Sequence, residues 1–154
     1  LKKQSKFVGW YIYNEIDDKN WQKKLKQKEL KLYLGRLHTF LKLKTDKEIY
    51  ISGFFSGKMN PKGYVDMWNF IANKKFTILL QNGVGAKNNT LDESSIYFEI
   101  FDKYIKTSWQ PVIELFEIRE SKFYTLKEEE INKQIKALPQ GKTPVAFSLR
   151  YFID

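Results

Sequence analysis

The chain has 154 residues, 42% hydrophobic and 29% charged, the balance of a globular domain large enough for one core. No stretch approaches the ~20 apolar residues of a membrane span; with no cysteine and a single histidine, His38, disulfides, thiolate metal sites and histidine-ligand clusters are excluded. The net charge is +9, yet only Arg36, Arg119 and Arg150 of the 27 basic residues are arginines and the lysines are scattered over the helices as solvated faces, which argues against nucleic acid as a partner.

Phe7 to Tyr13 is uncharged and rich in aromatic and β-branched side chains, the composition of a strand covered on both faces in a parallel sheet. It ends in Asn14-Glu15, a carboxylate at the C-terminal end of a buried strand, where α/β enzymes keep their chemistry. Asp17 or Asp18 is expected to cap a helix from about Lys19 to Leu43. Its apolar stripe is Trp21, Leu25, Leu30, Leu34, Leu37 and Leu41, with His38 an ordinary helix-face residue and Gly35 a position where the helix could divide.

A second strand runs from Ile49 to Phe55. Gly57, Asn60-Pro61 and Gly63 mark a loop, and a helix follows from about Tyr64 to Lys74 with Tyr64, Met67, Trp68 and Ile71 on its core face. Phe76 to Gln81 is a third strand, followed by the loop Asn82 to Lys87. Thr90-Leu91-Asp92-Glu93 is a capping box opening a helix to about Lys106. Pro111 to Phe116 is a fourth strand, entered through Trp109. Thr125-Leu126-Lys127-Glu128 reads as a second capping box, its helix carrying Ile131, Ile135 and Leu138 until Pro139 and Gly141 stop it. A fifth strand is expected from Val145 to Ile153.

Strand and helix alternate strictly, with strand starts roughly 27 to 42 residues apart, which predicts an α/β fold with a parallel sheet and right-handed crossovers. An open doubly wound sheet and part of a (β/α)8 barrel both fit. In either, a site forms at the strand C-termini: Asn14-Glu15, Phe54-Phe55-Ser56, Gln81-Asn82, Glu114 to Glu117, and Tyr151 to Asp154. Glu114 interrupts an apolar run, where an ionised carboxylate costs several kcal/mol unless it is paired or faces a cavity. Glu15 and Glu114 together are the minimum equipment of a glycosidase. Trp10, Tyr11, Tyr13, Phe54, Phe55 and Trp109 offer aromatic faces to a sugar, and Asn14 and Gln81 offer hydrogen bonds. The loop Gly83-Val84-Gly85-Ala86-Lys87 lacks the spacings of a phosphate-binding loop, and no cofactor is implied.

Four stretches in order, Gly9 to Asp18, Ile51 to Phe55, Leu79 to Gly85 and Trp109 to Phe116, resemble a bacterial family of unknown function described as candidate glycosyl hydrolases with a TIM-barrel fold. The resemblance covers nearly the whole chain. It implies that this chain is the C-terminal part of a barrel, from about its fourth strand to its eighth. By the same resemblance the first three strands of the barrel are expected upstream; the start at Leu1 rather than Met agrees with a missing upstream part, and a signal peptide there would make the product secreted or periplasmic. By similarity to the retaining (β/α)8 glycosidases, Glu15 would be the acid/base, Asn14 its neighbour on a sugar hydroxyl, and Glu114 the nucleophile. The sequence departs from the family pattern at Asn82, which is usually Asp, and at Tyr13 or Asn14, where a proline is typical. A non-catalytic carbohydrate-binding barrel using the same cleft is the second reading, and a basic nucleic-acid-binding module the third.

Overall fold

The computed structural model describes residues 7–148. Five strands form one sheet in the order β1 (Gly9–Asp17), β2 (Glu48–Phe54), β3 (Thr77–Gln81), β4 (Trp109–Glu114) and β7 (Val145–Phe147), all parallel. Each new strand joins on the same side as the last. A doubly wound sheet would reverse direction at a switch point, so the fold is the singly wound arc of a (β/α)8 barrel. A second sheet, the antiparallel pair β5 (Phe116–Arg119) and β6 (Lys122–Thr125), follows β4 directly.

Helices α1 (Lys24–Lys42), α2 (Pro61–Ala72) and α3 (Leu91–Tyr104) cover one face of the sheet. Strand alternation sends Ile49, Ile51, Ile78 and Leu80 into that layer, where they meet Leu34, Tyr64, Trp68, Phe98 and Phe101, all essentially without solvent contact. Gly53 belongs to this arrangement: a Cβ there would stand 2.8 Å from the Trp68 ring, so only glycine lets the indole lie against β2. The opposite, concave face carries Tyr11, Tyr13, Glu15, Ser52, Gln81, Val112 and Phe147.

Several boundaries differ from expectation for identifiable reasons. Neither Asp17 nor Asp18 caps α1, which starts five residues later than predicted behind Lys23, with no side-chain cap. Asp17 instead closes a turn, accepting the Lys19 and Asn20 amides at 2.8 and 2.6 Å. Asp18 is fully buried and accepts from Ser56 N, Ser56 Oγ, Lys58 N and Met59 N at 2.7–2.9 Å. It therefore ties the end of β1 to the loop after β2. Gly35 does not divide α1, and Leu25 points to solvent rather than into the stripe, where Gln27 is buried instead. The second helix begins at Pro61, behind an Asn60 cap that accepts the Gly63 amide at 2.7 Å. The Thr90–Glu93 capping box forms as predicted, with Glu93 returning to the Thr90 amide at 2.8 Å.

The Thr125–Glu128 box does not form. Thr125 is paired with Phe116 across the hairpin, and α4 (Glu128–Lys136) begins with three consecutive glutamates at the positive end of its dipole. The fourth strand is broken at Leu115, and the hairpin turns at Glu120 and Ser121, both at positive φ of 49° and 62°. That is a two-residue primed turn without the Asn-Gly or Asp-Gly that would announce it. Pro111 sits inside β4 opposite Leu80, not at its start. The fifth parallel strand is Val145–Phe147; the expected continuation to Ile153, and the candidate site residues Tyr151 to Asp154, lie outside the described residues.

Candidate active site

The C-terminal end of the sheet gathers the polar residues. In β1 the register runs Ile12 opposite Ile51 and then Ile16 opposite Gly53, so Tyr13, Asn14 and Glu15 face Ser52 alone. This bulge lets the strand end bend over the concave face. There Glu15 accepts a hydrogen bond from Gln81 Nε2 at 2.7 Å, and the same amide lies 3.1 Å from Ser52 Oγ. Glu15 thus meets solvent on one side and is held on the other by β3 and β2.

Glu114, at the end of β4, is 2% exposed. Its Oε2 accepts the Ala86 amide at 2.8 Å. The loop approaches this closely because residue 85 is glycine: a Cβ there would fall on the Phe116 carbonyl oxygen and within 3.1 Å of Glu114 itself. Gly85 in turn accepts from Ile118 N at 3.0 Å, which fastens the hairpin to the loop. Burial pushes the Glu114 carboxyl above its ordinary value, the Ala86 and Gly85 amides pull it back, and the charge of Glu15 adds to the rise. Glu15 and Glu114 thus end separate strands at the same end of the sheet.

The backbone of Glu114 is fixed from behind. Gln134 of α4, 3% exposed, donates to the Glu114 carbonyl at 3.0 Å and accepts from the Asn82 side-chain amide. Asn82 Oδ1 also receives the Val84 amide at 3.3 Å. Asn89 donates to the carbonyls of Phe55 and Asn82 at 2.9 and 3.0 Å, so the loop between β3 and α3 is closed on its own polar groups. An Asp at position 82 would set a carboxylate against the Gln134 oxygen; the Asn–Gln pair instead gives each oxygen a donor.

Of the residues singled out in sequence, Glu15, Gln81, Tyr13 and Tyr11 share the concave face with Ser52, Val112 and Phe147, around a hollow of about 210 Å³. Glu114 lies at the same strand ends, under the loop. Asn14 lies in a groove with Trp21, Tyr33 and Leu34 of the helix side, and Glu15 borders both hollows. Asn82 is buried in the network behind Glu114. Phe55 is fully buried, stacked on Tyr97 at 4.1 Å. Trp109 stands at the opposite end of its strand, packed on Phe98 and Phe101, with its indole N–H given to Asp102 at 2.9 Å. Phe55 and Trp109 are therefore core residues and do not reach the hollow, and Trp10 packs against the same core. Ser52, Gln134 and Phe147 were not foreseen. Ser52 could have been found, since it is the polar position on the concave face of β2. Gln134 could have been found as the one amide among the core-facing positions of its helix. Among the described residues no group of three or more His, Asp or Glu is placed to hold a metal ion, and no helix is long and apolar enough to cross a membrane.

A family model described as a domain of unknown function (DUF4434) matches residues 2–153, and the chain belongs to that family. The uncharacterized protein YbcH of Escherichia coli (strain K12) is 31% identical over 149 residues, which are 93% of this chain and 50% of that protein. A crystal structure of "a putative alpha-L-fucosidase" from Bacteroides thetaiotaomicron VPI-5482 is similar with a TM-score of 0.67 and 18% identity, over 96% of this chain and 48% of its own. At that identity the likeness is one of fold. The chain spans about half the length of each of these relatives.

Proposed function

We propose that this member of the DUF4434 family supplies the catalytic half of a glycoside hydrolase, with Glu15 and Glu114 as its two carboxylates. The observation that carries the reading is the placement of two acids from different strands at one end of a barrel-type sheet: Glu15 at the bulged end of β1, open to solvent and bonded to Gln81, and Glu114 enclosed at the end of β4. Glycosidic cleavage uses two carboxyl groups, and by resemblance to the retaining (β/α)8 glycosidases the one ending β1 is the acid/base and the one ending β4 the nucleophile. In this reading Glu15, open to solvent and oriented by Gln81, gives its proton to the departing sugar oxygen. Glu114, held rigid by the Ala86 amide, attacks the anomeric carbon. Glu15 then takes a proton from the water that releases the glycosyl group. Because burial raises Glu114, the acid limb of activity is shifted upward from where an unperturbed glutamate would place it. The concave face is completed, in the same reading, by the remainder of a longer protein.

The test is hydrolysis by the full-length natural protein over a panel of aryl glycosides and oligosaccharides. The panel begins with aryl alpha-L-fucosides, because the structural neighbour bears that name. Glu15→Gln and Glu114→Gln should each lower kcat by about 10²–10⁴. Azide should rescue Glu114→Gln or Glu15→Gln with inverted or retained product according to which one attacks. Unchanged turnover in either variant removes the mechanism; binding of glycans without turnover by the native protein would make the barrel a carbohydrate-binding module instead.

A further inference from the structure

Helix α1 is apolar on two faces. Leu30, Leu34 and Leu41 are buried on the side of the sheet, which accounts for one of them. On the far side Leu25, Leu32 and Leu43 are 69%, 65% and 78% exposed, and Phe40 is 56% exposed. At ~100° per residue Leu25, Leu32, Arg36 and Leu43 lie within about 40° of one another, opposite the core stripe and with Phe40 beside them. From Leu25 to Leu43 the ridge runs about 27 Å, at ~1.5 Å per residue. Lys24, Lys28, Lys31 and Lys42 border it on one side and Lys26 on the other, and Glu29 is the single acid of the helix. Among the described residues none of these lysines stands in an ion pair. The Lys44 ammonium, just past the helix, is 5.4 Å from the centre of the Phe40 ring. Beside the ridge a hollow of about 660 Å³ opens between α1 and the end of α2, where Leu32, Phe40, Leu43 and Ile71 meet the cations of Lys31, Arg36 and Lys75.

A single exposed leucine is ordinary on a surface; a line of them between rows of lysine marks a place of contact. From this we infer that the outward face of α1 docks on a lipid bilayer carrying anionic headgroups, with the leucines at the boundary of headgroups and acyl chains and the lysines on the phosphates. Charge and shape choose this occupant. Cations on both borders call for an anionic partner, and a second copy of the same face would set lysine against lysine. The face is a convex ridge, which a bilayer accepts along its whole length, while the lysine stems lie on apolar surface and their ammonium groups stay in water. The neighbouring hollow offers apolar walls to an acyl chain and cations to its headgroup. In the barrel reading the remainder of the longer protein joins along the border of β1 that is unpaired among the described residues, whereas the ridge faces directly away from the sheet. The inference is independent of the glycosidase reading.

The experiment is flotation of the full-length natural protein with vesicles of phosphatidylcholine, alone or mixed with phosphatidylglycerol, over a range of salt. The wild type is expected to float with the mixed vesicles, to stay behind with phosphatidylcholine alone, and to bind less as salt rises. Leu32→Ser and Leu43→Ser should each lower the partition coefficient about tenfold, and Lys26→Gln and Lys28→Gln each about fivefold. These side chains are exposed, so the urea midpoint of each variant should match the wild type. Failure to float with any vesicle overturns the inference. Flotation that survives both leucine substitutions also overturns it, because charge alone then holds the protein. Capture on immobilised poly-glutamate instead of vesicles, lost in the same variants, would give the face to an acidic protein and overturn the lipid assignment.

Discussion

Replacing Gly85 with alanine tests the site at its tightest point. The new methyl group would meet the Phe116 carbonyl and approach Glu114 Cβ and Oε2 at 3.0 and 3.1 Å, so the loop has to move. It cannot slide freely, because Asn89 grips the carbonyls of Phe55 and Asn82. The displacement breaks the Ala86 N–Glu114 bond, worth ~1.5–3 kcal/mol as a bond to a charged group, and the Ile118 N–Gly85 bond, worth ~1 kcal/mol. Overpacking adds ~1–3 kcal/mol, and partial relaxation returns some of it, so Gly85→Ala should cost about 3–5 kcal/mol. Ala86→Gly keeps both bonds and should cost under ~1 kcal/mol. Urea unfolding followed by tryptophan fluorescence reads both, with an unchanged m-value required for the comparison. The pH dependence supplies a second readout. In the native state Glu114 keeps its proton to higher pH than in the unfolded chain. Its contribution to stability therefore falls as pH rises from 4.5 through the raised value. Losing the Ala86 amide should extend that decline to higher pH. A Gly85→Ala protein within ~1 kcal/mol of wild type, with an unaltered pH profile, would refute the account of how Glu114 is held.

Gln81→Leu removes the amide that orients Glu15; kcat/KM should fall by about tenfold or more with KM for short substrates little changed, and an unaffected kcat would assign Gln81 to the fold alone. Asp18→Asn turns an NH2 group toward the Lys58 and Met59 amides, which now donate to a carboxylate; a loss of about 2–4 kcal/mol is expected in chemical denaturation, and a loss below ~0.5 kcal/mol would show that the rim holds without it. His38, the chain's single histidine, should titrate by NMR below 6.5, because partial burial and then Lys75 and Lys42 disfavour its cation; Lys75→Ala should bring the midpoint back toward that value, and an unmoved midpoint would deny the lysine its part.

The strands and their order were legible because each is an apolar run with its own punctuation, and Thr90 with Glu93 marked a helix start that tertiary packing had no reason to override. Asp18 was misread for a physical reason. A carboxylate ahead of a helical pattern looks like a cap, yet four donors from a loop about forty residues away outbid the local amides, and nothing local announces them. Phe55 and Trp109 carry the composition of sugar-stacking residues but stand on the helix side of their strands. Aromatic identity alone does not report which face of a sheet a ring occupies; parity along the strand does, and it separates Tyr11 and Tyr13 from Trp10. The hairpin escaped notice because Glu120-Ser121 adopts a turn that those residues seldom favour.

The outer border of β1 has a practical consequence. Among the described residues nothing pairs with that side of the strand, and Val8, Tyr11 and Tyr13 stand well out of the protein there and on the adjoining concave face. Backbone groups left open in a row recruit whatever extended segment comes within reach. In a longer polypeptide the recruit is a neighbouring part of the same molecule; in a test tube holding only these residues it is another copy, joined edge to edge. Sedimentation or light scattering should therefore precede any assay of the chain on its own, since an aggregate zipped along this border would bury the very hollow under test.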